Sequence, residues 1–324
     1  MMPDLAAAPG YWQDRVPGEA LATVAAADRL GYRELWLGEM ATYDVFALAV
    51  AAAARTERCS LTLGPLAVAV RDPMSIARGV ASVAELTGRR VDVAIGTSSP
   101  VVVGEWHGRD RRRPAAALRE SATALRGFLD GAKVTQDGEV VRTRGYRLRL
   151  PAPKSSLTVA AFGPAAVRAA AAHADRMVLN LVTPASAAAL VRDLRAAAAD
   201  AGRPAPRVAV WATAAVDPSP AALEQVRRGL VGYLAAPGYG EMFAEAGFGE
   251  LVAFARTRPH PRDLLAAVGP EVAASVGLLG GDAEVRARLA EYAAAGADEV
   301  VVIPASTDDD PGGERTLARV RALV

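Results

Sequence analysis

Cysteine is almost absent: the 324 residues contain one, Cys59, which excludes an intrachain disulfide framework. Lysine is nearly as scarce, with only Lys133 and Lys154 among 37 basic side chains. The arginine excess is read as a coding bias and not as phosphate recognition. The three histidines, His107, His173 and His260, lie far apart, and no HExxH, CxxC or carboxylate-rich calcium loop occurs, so no dedicated metal site is expected. G-x-S-x-G elbows, Walker loops and G-x-G-x-x-G turns are missing as well. Charge is balanced, 37 basic against 36 acidic groups for a net +1, which gives no electrostatic reason to expect nucleic acid or an anionic membrane. No apolar run reaches the roughly 18 residues of a membrane span, and no charged n-region leads into an apolar stretch at the start. A cytoplasmic protein with a small-molecule partner is the expectation.

Against these absences stands an apolar fraction of 52 %, enough for a sizeable core. Apolar β-branched runs alternate with helical segments, and Gly or Pro punctuates them, which predicts parallel strands with crossover helices. Strands are expected at Glu34 to Leu37, Ser60 to Leu66, Val91 to Ile95, Leu157 to Ala161, Met177 to Asn180, Val208 to Val216 and Glu299 to Ile303, with a weak first strand at Asp4 to Ala8. Val134 to Leu150 reads as an inserted hairpin, and residues 217–280 as a helical insertion before the last helix, Ala283 to Ala295. The predicted architecture is α/β, a closed (β/α)8 TIM barrel forming a single domain over residues 1–324. A doubly wound open sheet is the alternative, lacking its glycine signature.

The stretch VDVAIGTSSPVVVGEWHG, Val91 to Gly108, joins a buried strand to a polar corner and a proline-started helix. Ser99 is placed to cap that helix, and Gly96 lets the backbone approach a ligand. Asp72-Pro73, Gly163-Pro164 and Thr183-Pro184 repeat the design, and in a barrel all four corners share one rim whose helix termini favour an anion. Ser98, Ser99, Asn180 and Thr183 add uncharged hydrogen-bonding groups suited to a phosphate or a heterocyclic ring. Gly64-Pro65, at the end of an apolar strand, implies a bulge, and prior odds leave its peptide bond trans. Glu39 ends the second strand as a candidate to hold or move a proton, or as a rim carboxylate paired with an arginine. Asp44 reads as a helix cap.

Five segments together resemble the luciferase-like monooxygenase superfamily, in its branch of deazaflavin (coenzyme F420)-dependent oxidoreductases: GYRELWLGEMATYDVFAL from Gly31, GPLAVAVRDP from Gly64, VDVAIGTSSPVVVGEWHGRDR from Val91, FGPAAVRAAAAHADRMVLNLVTP from Phe162 and YAAAGADEVVVIP from Tyr292. The resemblance implies a (β/α)8 barrel with extra helices. It implies that the ring rests against a bulge with an unusual cis peptide near Gly64, Pro65 and Leu66. By the same resemblance Gly96, Thr97, Ser98 and Ser99, with Phe162, Gly163 and Pro164, hold the cofactor tail and phosphate. Asn180 to Thr183 then line its path, and Glu39 faces ring or substrate.

The implied activity is hydride transfer between coenzyme F420 and a small organic substrate by a homodimeric enzyme. An FMN-dependent monooxygenase and a non-catalytic ligand-binding barrel are the alternatives. Family chains open with a clear apolar first strand, whereas MMPDLAAAPG supplies little of one.

Overall fold

The structure, a computed structural model, describes residues 2–10, 15–39 and 41–324. In chain order the elements are β1 (Asp4–Ala7), α1 (Glu19–Arg29), β2 (Glu34–Leu37), α2 (Val45–Ala53), β3 (Ser60–Ala67), α3 (Pro73–Thr87), β4 (Val91–Gly96), a π-helical segment (Val101–Trp106) and α4 (Pro114–Leu129). Next come β5 (Val134–Asp137), β6 (Arg142–Tyr146), β7 (Leu157–Ala160), α5 (Pro164–His173), β8 (Arg176–Asn180), α6 (Pro184–Asp200) and β9 (Arg207–Val216). The long connection that follows holds α7 (Pro220–Leu230), α8 (Tyr239–Phe243), α9 (Gly249–Arg256), α10 (Pro261–Ala267) and α11 (Pro270–Val276). It returns through β10 (Leu278–Gly280) to α12 (Asp282–Ala294), β11 (Glu299–Pro304) and α13 (Glu314–Ala322). Leaving aside the β5–β6 hairpin and short β10, the chain repeats strand then helix eight times.

Two compact units emerge. One comprises Met1–Tyr32, Leu179–Val191 and Ala209–Val324. Within it β1 pairs in parallel with β11 from Asp4↔Glu299 to Ala7↔Val302, β11 pairs with β9, and β9 with β10. The sparse first strand therefore forms, and its Ala6 and Ala7 are buried against β11. Alanine carries little hydrophobic signal in sequence, yet two short side chains suffice where strands are already close. Buried tyrosines tie helices to backbone here: the Tyr32 hydroxyl donates to Leu317 O at 2.9 Å and the Tyr292 hydroxyl to Val182 O at 2.8 Å. The expected helical insertion contains the five α-helices α7 to α11, a second π-helical segment (Ala244–Phe248) and, unanticipated, β10.

The second unit comprises Arg33–Val178 and Arg192–Val208. Here β2, β3, β4, β7 and the first three residues of β8 pair in parallel in that order. All six residues of β4 are buried, the near-continuous burial of a parallel strand covered on both faces. Helix α3 starts at Pro73, with the Asp72 carboxylate accepting from Ser75 N, and stops at Gly88 in the left-handed conformation. Its Ile76, Ala77, Val80, Ala81 and Val83 are buried, and α4 buries Leu118, Ala122, Leu125 and Phe128 at helical spacing. Each large apolar side chain removed from water in this way contributes about 1.5–3 kcal/mol.

The β5–β6 hairpin is latched to α4 by one carboxylate. Glu120, 8 % exposed, accepts from the amides of Glu139 at 3.2 Å and of Val140 and Val141 at 2.9 Å each. Burial opposes ionisation, but the three amides outweigh it and hold the carboxyl below its ordinary 4.5. A depressed folded value means that the latch contributes fully above pH 4.5 and is lost as pH falls through the lower folded value. Amide exchange at Val140 and Val141 is expected to accelerate in that acid range, and in Glu120→Ala already at neutral pH. Equal protection in variant and parent at pH 7 refutes the latch.

Candidate functional site

In the second unit the C-terminal ends of parallel strands present Glu39, the bulge of β3, the corner after β4 and the corner after β7. The bulge is real: pairing of β3 with β4 slips between Leu63 and Leu66, then resumes as Leu66↔Ile95 and Ala67↔Gly96. The Gly64-Pro65 peptide is cis, correcting the trans form that local odds favour and agreeing with what the resemblance implies. Gly64 has φ +115°, and a Cβ there would lie 2.2 Å from Ala94 O and 2.6 Å from Leu66 N. At Gly96 a Cβ would meet the Cβ atoms of Ala160 at 3.2 Å and Pro65 at 3.6 Å. Bulge, β4 corner and β7 thus pack closely around two buried glycines, and of Gly64, Pro65, Leu66 and Gly96 only Pro65 is part-exposed.

The corner after β4 forms as expected in one respect and differs in another. Ser99 Oγ accepts from Val102 N at 3.2 Å, so the hydroxyl is a cap. The helix it caps is the six-residue π segment, with Pro100 at its N-cap position. Ser98 adopts φ +55°, and its carbonyl accepts from Arg111 Nε at 3.1 Å and Nη2 at 2.9 Å; Arg111 Nη2 also lies 3.4 Å from Thr97 Oγ1.

The four cap-proline corners separate on inspection. Asp72 satisfies α3 with its own carboxylate, Ser99 caps the π segment, and Thr183 Oγ1 accepts from Ser186 N at 3.1 Å. Gly163 offers α5 no side-chain cap, and nothing lies within 4 Å of the position its Cβ would take. At the start of α5 Pro164 carries no amide and the amides of Ala166 and Val167 bond Gly163 O at 3.0 and 3.1 Å, so Ala165 N is left without a helical or side-chain partner, a donor suited to an anion. Proline as such carries no such message, since seven α-helices among the described residues, including α7, α10 and α11 of the insertion, open on it.

Glu39 is held by Arg71, a residue the sequence reading passed over. Arg71 Nε donates to Glu39 Oε2 at 2.7 Å, and its Nη2 bonds both Glu39 Oε1 and Asp44 Oδ2. The guanidinium also lies over the Phe46 ring, 5.1 Å from its centroid. Asp44 is the cap of α2, accepting from Phe46 N and Ala47 N at 3.0 and 3.1 Å. Burial raises its carboxyl, but those amides and Arg71 prevail and hold it below the ordinary range. The rim-pair reading of Glu39 thus describes its resting contacts.

In the first unit Asn180 ends β8 and Thr183 opens α6. The Asn180 amide interacts with the hydroxyls of Tyr233 and Tyr239, whose rings meet edge to face at 5.0 Å. Burial pushes both phenols above their ordinary range, so both are protonated at neutral pH. Asn180 Oδ1 is buried and accepts no hydrogen bond among the described residues. As placed, the amide meets the tyrosine oxygens through its nitrogen and leaves Oδ1 open to a donor. The tyrosines sit in the insertion, where no strand or helix period marked them.

Within the second unit, the part-exposed Pro65 of the bulge and the start of α5 at Gly163 stand at the ends of strands, positions that suit a ring and a phosphorylated tail. Among the described residues no cluster of His, Cys, Asp or Glu could hold a metal ion, and no helix is long and apolar enough to cross a membrane.

Comparison with known proteins gives a consistent result. Residues 3–299 match the family model of the luciferase-like monooxygenases. A 5,10-methylenetetrahydromethanopterin reductase of Methanolobus tindarius is 25 % identical over 228 residues, covering 68 % of this chain and 70 % of the relative. Among solved structures, the coenzyme F420-dependent tetrahydromethanopterin reductase of Methanopyrus kandleri superposes with TM-score 0.80 at 18 % identity, over 100 % of this chain and 98 % of that one. The oxygenating constituent of 3,6-diketocamphane monooxygenase from Pseudomonas putida, in complex with FMN, superposes with TM-score 0.70 at 17 % identity, over 99 % and 97 %. Likeness of this extent shows the fold, a closed (β/α)8 barrel.

Proposed function

The chain belongs to the luciferase-like monooxygenase family, and from that premise we propose that it is an oxidoreductase passing a hydride between coenzyme F420 and a small organic substrate. The observation that carries this reading is the uncapped N-terminus of α5 at Gly163, which lies at the end of the strand next to β4, whose Gly96 backs Pro65. The likeness to reductases supports the deazaflavin over a flavin. When bound, the deazaflavin supplies a donor or acceptor of a hydride.

The protein's share is placement and proton management. Pro65, backed by the buried Gly64, Leu66 and Gly96, offers the ring a surface, while Thr97, Ser98 and Ser99 shape the corner beside it. Phe162, Gly163 and Pro164 take the phosphate at the start of α5, beside the Ala165 amide. Asn180 Oδ1 accepts from a ring or substrate N–H or O–H, and Thr183 stands beside it at the start of α6. Glu39, oriented by Arg71, moves a proton at its carboxylate between substrate and solvent. We further propose a homodimeric, cytoplasmic enzyme.

Titrating the purified chain with coenzyme F420 and with FMN, followed by fluorescence, tests the cofactor. Saturable F420 binding without comparable FMN binding is expected; preferential FMN retention replaces this reading with a flavin-dependent monooxygenase, the reading that the FMN-bound neighbour favours. If F420 binds and a panel of enones, imines, aldehydes and alcohols leaves its absorbance unchanged, the barrel is a binding protein. Glu39→Gln is expected to lower kcat on the order of 10²-fold with little change in cofactor Kd. Unchanged turnover removes Glu39 from proton transfer and leaves it a partner of Arg71.

A further inference from the structure

A cavity of about 500 Å³ lies in the second unit, outside the features just assigned except for Thr97. The start of α3, the 109–114 connection, α4 and the tip of the β5–β6 hairpin enclose it. Four arginines line it, Arg109, Arg111, Arg112 and Arg142, beside Asp72 and Asp110; Arg142 rests in an exposed pair with Asp137 at 3.3 Å, one that a ligand can replace. Both carboxylates are engaged: Asp72 by the amide and hydroxyl of Ser75, and Asp110 by the amide and guanidinium of Arg112. Arg111 is half-buried and bonds Ser98 O and Thr97 Oγ1, but pairs with no carboxylate among the described residues. The Arg109 side chain has no ion pair or hydrogen bond among them. Val70, Met74 and Phe128 supply an apolar wall.

A half-buried guanidinium without a counter-ion carries a desolvation cost that an anion removes. Guanidinium forks match the paired oxygens of phosphates and carboxylates. The volume falls in the range of about 300–1,000 Å³ typical of small-molecule sites.

We propose that this cavity binds a small organic anion carrying two or more phosphate or carboxylate groups, with Arg111 as the inner contact and Arg109 and Arg142 closing over it. The anion is either a free metabolite or the charged end of a cofactor seated at the neighbouring corner. The proposal stands on the cavity itself and does not depend on which cofactor the protein uses.

Isothermal titration of the full chain with tripolyphosphate and with citrate, at physiological salt and without cofactor, tests it. One-to-one saturable binding of at least one probe is expected, weakened tenfold or more in Arg109→Gln/Arg142→Gln. Arg286→Gln, which removes an exposed charge on α12 elsewhere, is expected to leave binding unchanged. Repeating the titration with saturating F420, or with FMN if that is the cofactor retained, separates the sources. Loss of probe binding identifies the site with the cofactor's own anionic end; retained binding identifies a separate ligand. No saturable binding of either probe, or equal weakening by Arg286→Gln, overturns the proposal. Failure of F420 to bind leaves this result untouched, so the two readings fail separately.

Discussion

Gly64→Ala is expected to leave little folded protein. The added methyl would lie 2.2 Å from Ala94 O and 2.6 Å from Leu66 N. Both are backbone atoms in the paired region of β3 and β4, so no side-chain rotation relieves the clash. The position also has φ +115°, where an L residue is strained wherever it finds room. Relief requires β3 and β4 to part, and both are buried strands. A loss above about 4 kcal/mol is therefore expected, a large share of the 5–15 kcal/mol that typically holds a protein folded. Urea unfolding monitored by tryptophan fluorescence measures it. A variant whose midpoint matches the parent's refutes the described bulge.

Glu34→Ala is the second large effect. Arg176, with its side chain 8 % exposed, donates to Glu34 Oε2 at 3.0 Å and Oε1 at 2.7 Å, to Thr62 Oγ1 at 3.0 Å and to Thr158 Oγ1 at 3.2 Å. Its guanidinium lies over Trp36, 4.4 Å from the ring centroid. Truncating Glu34 removes the two carboxylate oxygens that this buried guanidinium grips, at an expected cost of about 3–5 kcal/mol. Replacing both partners with methionine removes the guanidinium together with its carboxylate, so Glu34→Met/Arg176→Met is expected to lose less than Glu34→Met alone. Urea midpoints of Glu34→Met, Arg176→Met and the double variant check the cycle. A Glu34→Ala cost below about 1 kcal/mol shows that water already reaches the pair.

How much of this was legible follows from range. Strand and helix order could be read because burial on one face writes a helical period into α3, while burial on both faces makes β4 a short, mainly apolar run. Caps were equally local: Asp44, Asp72, Ser99 and Thr183 each serve an amide two or three residues on. The form of the Gly64-Pro65 peptide was not legible, because the surrounding sheet selects it and the dipeptide does not. The π segment was missed because the Val101 to Val103 run has no period that separates it from an α-helix. Arg71 lies 32 residues from Glu39, and Arg111 was one of many arginines until Ser98 O identified its place. Tyr233 and Tyr239 acquire meaning only through Asn180, more than fifty positions earlier.

Phe46 connects a helix contact to the site. Its ring fills the notch of Gly79 on α3, where a Cβ would stand 2.3 Å from the ring's Cζ. The same ring lies beneath Arg71, which in turn grips Glu39. A methyl group at position 79 would therefore have to displace the Phe46 ring, and with it the face on which the Arg71 guanidinium rests. The packing of two helices and the ion pair at Glu39 are in this way joined through a single ring.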